Sequence, residues 1–283
     1  PVIFLTALSG QANEKKGLEL GAVDFIIKPF SPSIVQARVE THLKFAEYQY
    51  DLENIVEEKI RENEKIQRMT IDALAILAEY RDNDTGGHIK RTRNYMKLLA
   101  KKLQNHEHFK SFLSDKNIDI LYDSAPLHDI GKVAIRDEIL LKEGKLTDDE
   151  MHQMKKHAYY GYKTLLDVER QSQSEAYFAI AKDIAYCHHE KYDGTGYPRK
   201  LKGKDIPIPG RLMAVSDVYD ALISKRCYKK PIPHSKSVEI IKSLSGSSFD
   251  PDIIDAFVEL QEEFRETALK NTDYPEEGEA LKS

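Results

Sequence analysis

The stretch HHEKYDGTGYP, residues 188–198, decides how this sequence is interpreted, because two adjacent histidines stand there at the end of a predicted helix. His188 extends an apolar helical stripe that includes Ala181 and Ile184, so its side chain is predicted to face the interior. Neighbouring residues on a helix point ~100° apart, so both histidines can reach one site only near a helix end. The Asp-Gly pair at residues 193–194 supplies that end, and the sequence therefore predicts a pair of ligands.

Three more histidines, His88, His128 and His157, lie on the apolar stripes of their own predicted helices. His128 is followed directly by Asp129 and then by a glycine, so this pair also stands near a helix end. Asp217 lies on an inward face of another predicted helix. Burying imidazoles and carboxylates without partners costs free energy, so each of these groups needs a hydrogen bond or a metal ion.

The predicted inward groups are too many for one tetrahedral zinc ion, and they suit two or more octahedral ions such as iron or manganese. The carboxylates among them are free to bridge two ions. Any one of these residues alone is more often an ordinary core or surface residue, but two adjacent pairs at helix ends favour a common site. The predicted ligands are His88, His128, Asp129, His157, His188, His189 and Asp217.

The motifs around these ligands resemble those of the HD-GYP family over about residues 70–265. The matching pieces are Asp84–His88, His128–Lys132, His157–Gly161, His188–Pro198, Asp217–Leu222 and Phe249–Pro251. The resemblance implies a mainly α fold, an HD-domain helical bundle. HD-GYP proteins are metal-dependent phosphodiesterases that hydrolyse the bacterial second messenger cyclic di-GMP, and both pGpG and GMP are open as products.

Two other functions stay open. One is an HD phosphohydrolase that acts on another nucleotide or cyclic dinucleotide, a GMP–AMP hybrid included. The other is a weakly active module that senses cyclic di-GMP and binds partner proteins, of which a GGDEF-type protein is one candidate. The complete ligand set argues against the second function, because a pure binding module has no need of seven metal ligands.

The resemblance also implies roles for individual residues. The ligands would bind two divalent ions, iron or manganese, with Asp129 as the bridge. Lys132 would approach the attacking water or the scissile phosphate, so Asp129 and Lys132 are the predicted catalytic residues. Tyr197, Arg226 and Lys229 are the predicted substrate contacts, the last two as a clamp on phosphates. The alternatives are a solvated basic surface for the cations and turn packing for the tyrosine.

One position departs from the family pattern. Many members carry glutamate four residues before the first histidine, where it can help to hold a third metal ion, and this chain has Asp84 there. Aspartate is one methylene shorter, which removes ~1.5 Å of reach. Direct ligation, ligation through water and no ligation therefore all stay open, and two ions are predicted with a third as the alternative.

Residues 1–45 are predicted to be the C-terminal part of a receiver domain. Val2–Leu5 and Val23–Ile27 have the continuous apolar character of buried strands, with a helix between them. The tripeptide LTA at residues 5–7 and the dipeptide Lys28-Pro29 resemble the last two strands of response-regulator receivers. The phospho-accepting aspartate of that family would lie upstream, so the chain is expected to be a fragment of a longer response regulator controlled by a histidine kinase.

From Ser33 to about Arg81, the spacing of apolar residues predicts one long helix that is polar on most faces. Such a helix needs a partner along its apolar stripe, and that partner is either its own domain or a second copy in a homodimer. The predicted organisation is a receiver part at 1–45, a linker helix at 46–80, an HD-GYP domain at 81–265 and a polar tail at 266–283.

Composition narrows the partners and the location. The formal net charge is −5 and no block of five basic residues occurs, which argues against DNA binding but allows a small anionic ligand such as cyclic di-GMP. No apolar run approaches the ~18–20 residues of a membrane span, so no membrane contact is predicted. The 2 cysteines are too few for a disulfide framework and fit a reducing cytoplasm.

Overall fold

The protein is described from a computed structural model, which covers residues 1–7, 11–80, 86–171, 175–225 and 230–282. The chain forms two compact units, residues 1–67 and 68–283. The division falls within the longest helix, so this helix contributes residues to both units.

The first unit begins with a β–α–β motif. Strands β1 (Ile3–Thr6) and β2 (Asp24–Ile27) pair in parallel, and helix α1 (Gln11–Glu19) connects them. This order of elements agrees with the sequence prediction. The prediction that both strands are buried is wrong, since Leu5 is 50% exposed and Ile27 is 41% exposed. A two-stranded sheet beside one short helix leaves apolar surface uncovered within the described part of this unit.

Helix α2 (Pro32–Tyr80) continues without a break for 49 residues. At 1.5 Å per residue it is ~70 Å long, as the spacing of apolar residues predicts. Many large apolar side chains along it are exposed, including Tyr48 at 75% and Ile60 at 55%. Within the described ranges, no helix combines the length and the apolarity required to cross a lipid bilayer.

The second unit is a helical domain, which confirms the predicted mainly α fold. Its further helices are α3 (Gly86–Leu103), α4 (Asp115–Ser124), α5 (Asp137–Leu140), α6 (Asp148–Met154), α7 (Lys156–Glu169), α8 (Glu175–Cys187), α9 (Ile208–Ile223), α10 (His234–Ser243), α11 (Pro251–Glu259), α12 (Gln261–Leu269) and α13 (Pro275–Leu281). Short 3₁₀ turns at Ala125–Leu127 and Ile130–Ala134 join α4 to α5.

The core of this domain holds α3 and α9 in fixed positions. Tyr95 on α3 stacks on Phe264 with ring centroids 4.5 Å apart, and Tyr219 on α9 meets both rings edge-on. All three side chains are fully buried, and such aromatic pairs add to the free energy gained from their burial. The helices that carry His88 and Asp217 therefore rest on a rigid apolar layer.

The sequence predicts one helix from the capping box at Thr147 and Glu150 through Leu166. The capping box is present, but the structure divides the segment into α6 and α7 at Lys155. The carbonyl of Met154, at the end of α6, accepts the Nδ1–H of His157 at 2.8 Å. The break between α6 and α7 therefore lies where the His157 side chain donates a hydrogen bond to a main-chain carbonyl.

The C-terminal segment differs most from its prediction. The sequence predicts a polar tail from residue 266, whereas the structure has the rest of α12, a turn at residues 270–274 and then α13. Ala268 and Leu281 are buried in the main core, and Glu277 is also buried. A few apolar anchors on short helices are enough to fold this polar segment onto the domain.

Candidate metal centre

Asp129 and three histidines form the first cluster. The Oδ1 atom of Asp129 lies 3.3 Å from His157 Nε2 and 3.5 Å from His188 Nε2, and these two nitrogens are 3.4 Å apart. His189 completes the cluster, in which one ligand atom from each residue lies within 4.8 Å of the others. The four side chains come from three separate segments, namely Asp129 before the Ile130–Ala134 turn, His157 on α7, and His188 with His189 directly after α8, so this cluster exists only in the folded domain.

A second cluster adjoins the first and consists of Glu79, His88 and His128, all of them buried. His88 Nε2 lies 3.4 Å from His128 Nε2 and 3.7 Å from Glu79 Oε1. Asp217 faces the same imidazole, with its Oδ1 3.9 Å from His88 Nε2. This half of the centre thus combines two imidazoles with two carboxylates.

Asp129 connects the two clusters. Its Oδ2 lies 3.4 Å from His128 Nε2, while its Oδ1 faces His157 and His188 on the other side. Asp129 directly precedes the 3₁₀ turn at Ile130–Ala134 but does not cap it with its side chain, so the carboxylate stays available to the centre. Two ligand clusters that share one carboxylate have the arrangement expected for a bridging ligand.

Four of the five imidazoles, those of His88, His128, His157 and His188, are held through Nδ1, which leaves Nε2 for the centre. In three cases the acceptor of the Nδ1–H group is a main-chain carbonyl three or four residues earlier. These bonds join His128 to Ala125 (3.0 Å), His157 to Met154 (2.8 Å) and His188 to Ile184 (3.1 Å). His88 differs, because its Nδ1–H donates to the Asp220 carboxylate at 2.8 Å.

The two halves of the centre differ in electrostatics. Burial lowers the pKa of His157 to about 4 and holds the pKa of His189 well below its usual value. Burial alone would also lower the pKa of His88, but the Glu79 and Asp220 carboxylates outweigh it and raise this pKa to about 10. His157 and His189 therefore offer neutral imidazoles, whereas the surroundings of His88 form an acidic pocket that attracts positive charge.

The residues present fit divalent metal ions. The Nε2 atoms of His88 and His128 face each other at 3.4 Å, and facing lone pairs repel unless a proton or a cation lies between them. The buried Oδ1 of Asp129 accepts no hydrogen bond from the described residues. A carboxylate oxygen in that position is unfavourable unless a cation is bound, and imidazole with carboxylate suits iron, manganese and zinc.

The structure brings six of the predicted ligands together in the two clusters and places Asp217 at their edge. Lys132 Nζ donates to Asp129 Oδ2 at 2.7 Å. The Tyr197 ring lies against His189, with centroids 4.7 Å apart and 31° between the ring planes. Three predicted residues lie outside the described part of the chain, namely Asp84, Arg226 and Lys229.

Sequence reasoning missed two buried glutamates at the site. Glu79 belongs to α2, where the dense charge of the helix obscures a short inward stripe of Ala75, Ala78 and Glu79. A carboxylate that continues a stripe of small buried residues is the signal that could have identified it. Glu190 lies in the segment at residues 188–198, and no periodicity marks it, because it belongs to the loop after α8.

Glu190 fixes the loop that carries Tyr197. Its side chain is buried, Oε1 accepts the N–H of Arg199 at 2.6 Å and Oε2 accepts the N–H of Leu201 at 3.1 Å. We expect Glu190→Ala to lower the free energy of unfolding by about 2–4 kcal/mol, because two inward amides lose their acceptor. Urea denaturation measures this loss, and hydrogen exchange should accelerate at residues 199 and 201.

The control for this prediction is Glu138→Ala, which removes a side chain that is 77% exposed. It should change the free energy of unfolding by less than about 0.5 kcal/mol. Unchanged amide protection at residues 199 and 201 in Glu190→Ala would contradict the assigned role of the carboxylate.

The domain that contains this centre is similar to known proteins. The chain matches the family described as HD domain over residues 84–253. It is 46% identical over 281 residues to a "Probable cyclic di-GMP phosphodiesterase" of Vibrio cholerae, across 96% of this chain and 64% of that protein. It is 50% identical over 196 residues to a "Cyclic di-GMP phosphodiesterase" of the same organism, across 69% of this chain and 40% of that protein.

A third relative is similar over nearly the whole chain. It is a "Cyclic di-GMP phosphodiesterase response regulator" of Xanthomonas campestris, 35% identical over 265 residues that make up 91% of this chain and 67% of that protein. The chain thus spans less than two thirds of the length of the two Vibrio relatives. The match to the domain family includes every predicted metal ligand.

Proposed function

The chain belongs to the HD-domain family, and from that premise we propose that it is a metal-dependent phosphodiesterase that hydrolyses cyclic di-GMP to pGpG, GMP or both. The observation that carries the proposal is the shared carboxylate of Asp129, which faces buried imidazoles on both sides. A phosphodiester repels nucleophiles through its own negative charge, so its hydrolysis needs cations at a fixed place. The names of the three relatives support cyclic di-GMP as the substrate.

Two divalent ions, iron or manganese, are the proposed cofactors. When bound, they supply positive charge that favours attack by water and stabilises the phosphoryl oxygens. The proposed holders are His157, His188 and His189 in one half, His88, His128 and Asp217 in the other, and Asp129 in both. The alternative is three ions, with the third beside His88 and Glu79 as one of its ligands. Asp84 is a further candidate ligand for this third ion.

Lys132 and Tyr197 are proposed to act on the substrate phosphate. Lys132 holds the Asp129 carboxylate in place and presents its positive charge beside it. Burial first, and the Asp129 and Asp217 carboxylates second, raise the pKa of Tyr197, so its hydroxyl stays protonated and can donate to a phosphate oxygen. Arg226 and Lys229 stay proposed phosphate ligands on the strength of the family resemblance.

Residues 1–45 are proposed to be part of a receiver domain. The N–H of Lys28 donates to the carbonyl of Thr6 at 2.8 Å, so the two residues lie side by side at the carboxyl ends of parallel strands. Functional groups of open parallel sheets gather at that end. The response-regulator name of the Xanthomonas relative supports control by phosphorylation from a histidine kinase.

Residues 46–80 are proposed to form a linker helix as part of α2. The proposed partner of this helix is a second copy of the chain. Large apolar side chains recur along this helix in exposed positions, among them Leu43, Tyr50, Val56 and Ile60. A long helix of this kind is stabilised by burying such a stripe against another helix. A GGDEF-type protein partner and a cytoplasmic location remain predictions from resemblance and composition.

The test of the proposed function is turnover of cyclic di-GMP by the full chain after anaerobic loading with ferrous iron or manganese. We expect about two ions per chain by elemental analysis and conversion of the substrate to linear pGpG or to GMP, resolved by chromatography. His152→Ala serves as a control, since this exposed histidine lies outside the centre and should alter neither quantity.

Two results would contradict the proposal. Folded protein that binds no metal would remove the centre itself. Protein that is loaded with metal and binds cyclic di-GMP without cleaving it would favour the sensing module instead. A parallel assay with the GMP–AMP hybrid decides between cyclic di-GMP and a broader substrate class.

A further inference from the structure

A buried arginine, Arg91, binds the carboxylate that holds the imidazole of the metal ligand His88. Arg91 is only 2% exposed, and its guanidinium binds Asp220 through two hydrogen bonds, from Nε to Oδ1 at 2.6 Å and from Nη2 to Oδ2 at 3.0 Å. The Oδ2 atom of Asp220 also accepts the Nδ1–H of His88 at 2.8 Å. The orientation of this imidazole therefore depends on a carboxylate that Arg91 holds in place.

The other side of Arg91 is held by the turn at residues 270–274. Its Nη1 donates to Asp273 Oδ2 at 2.8 Å and to the carbonyl of Asn271 at 2.7 Å. This turn is anchored in its own right, because buried Glu277 accepts the N–H of Asp273 at 2.9 Å and the N–H of Lys225 at 2.9 Å. The turn lies beyond the residues matched to the domain family, which end at residue 253.

The fit between this turn and α3 is close. A Cβ atom at Gly87 would lie 2.2 Å from Oδ2 of Asp273, so only glycine leaves room for that carboxylate. Gly87 directly precedes His88 in the chain. Asp273 therefore packs against the first turn of α3, directly beside the residue that carries the metal-binding imidazole.

The negative charge of Asp273 helps to fix the orientation of the Arg91 guanidinium. Arg91 lies between the Asp220 and Asp273 carboxylates, which pull the guanidinium in different directions and fix its plane. Loss of the Asp273 charge would leave Nη1 with the neutral Asn271 carbonyl as its hydrogen-bond acceptor, and the more weakly held guanidinium could then turn with Asp220. Because Asp220 aims the His88 imidazole, this movement would reach the metal ligand.

We propose that Asp273 is a positioning residue for the metal ligand His88 and acts through Arg91 and Asp220, so that the 270–274 turn completes the metal centre. This inference rests on the metal centre of the proposed function. It does not depend on which nucleotide is hydrolysed, since it concerns only how tightly a cation is held. The partner of a ligating histidine typically contributes 10–100-fold to metal affinity, and Asp273 lies two contacts beyond that partner, so an effect at the lower end is expected.

The test is Mn²⁺ binding by the full chain, without nucleotide, followed by electron paramagnetic resonance. Asp273→Asn should weaken the binding of one ion by about tenfold and leave the other ion unchanged. Glu276→Gln is the matched control, because this carboxylate of the same segment is 52% exposed and pairs only with Lys225 Nζ among the described contacts. It should leave both affinities as they are.

A double-mutant cycle separates positioning from general stabilisation. If Asp273 acts through His88, Asp273→Asn should change Mn²⁺ affinity in the unaltered chain but not in His88→Ala. An equal loss of affinity in both backgrounds, or no loss in either, would overturn the proposal. Failure of the unaltered chain to bind Mn²⁺ would instead reject the proposed function.

A second variant covers the case in which Asp273→Asn does not fold. Gly87→Ala keeps every charge and displaces the Asp273 carboxylate by steric contact alone. It should produce the same selective loss of one ion, and retention of both affinities in this variant would also overturn the proposal.

Discussion

Asp129→Asn is expected to lower kcat/KM for cyclic di-GMP by about a thousandfold or more. Both carboxylate oxygens face imidazoles, Oδ1 on the His157 side and Oδ2 on the His128 side, so one substitution removes a ligand from both halves. An amide carries no charge and directs N–H groups at the centre. A loss of ~4 kcal/mol of transition-state stabilisation corresponds to about 10³ in rate.

The measurement combines steady-state kinetics with metal analysis and circular dichroism. Asparagine has the shape of aspartate, so helical content should not change, while the number of bound ions per chain should fall. His152→Ala, which alters an exposed histidine, should keep full activity and metal content. Turnover close to that of the unaltered chain in Asp129→Asn would remove this residue from the mechanism.

Gly131→Ala is expected to have the largest effect on stability. A Cβ atom at residue 131 would lie 2.0 Å from the carbonyl oxygen of His157 and 2.4 Å from the amide nitrogen of Gly161. Both are main-chain atoms, which cannot rotate away, so α7 must move as a whole. We expect the free energy of unfolding to fall by about 3 kcal/mol or more, and the contact between His157 and Asp129 to be lost.

Urea denaturation measures the loss of stability, and Mn²⁺ titration of the folded protein measures the effect on the centre. Gly278→Ala is the control, because this helical glycine has no atom within 4 Å of the added methyl group. It should be neutral or more stable by up to about 1 kcal/mol. Normal stability of Gly131→Ala would show that the contact between α7 and the Ile130–Ala134 turn is looser than the structure indicates.

Helical periodicity explains which parts of the centre could be predicted. The inward direction of His128, His157 and His188 follows from apolar residues three, four and seven positions away, which is local information. The sharing of Asp129 between two clusters depends on how α3, α7, α8 and α9 pack, and spacing along the chain does not contain that. The six predicted residues that the structure brings together could therefore be named from the sequence, whereas their division into two clusters could not.

Glu79 and the C-terminal turn show the limit of the same approach. Glu79 is hard to identify from the sequence, because it lies in a helix that is dense with charged residues. Its side chain is buried in the last turn of that helix. Residues 270–281 have a polar composition, yet one buried glutamate and a buried leucine attach them to the domain. In the first unit the prediction erred in the other direction, because the sequence predicts buried strands and the structure exposes residues of β1. Burial is decided by neighbours that are distant in sequence.

The main-chain attachment of the imidazoles has a consequence for engineering. Since His157 and His188 are held by main-chain carbonyls close to them in the chain, the distance between the two imidazoles follows from the spacing of α7 and α8. That spacing is set by small contacts such as Gly161 against Ala185, where an added Cβ would lie 3.4 Å from its neighbour. Libraries that seek a different cation preference should therefore diversify these small interhelical residues and leave the ligands alone.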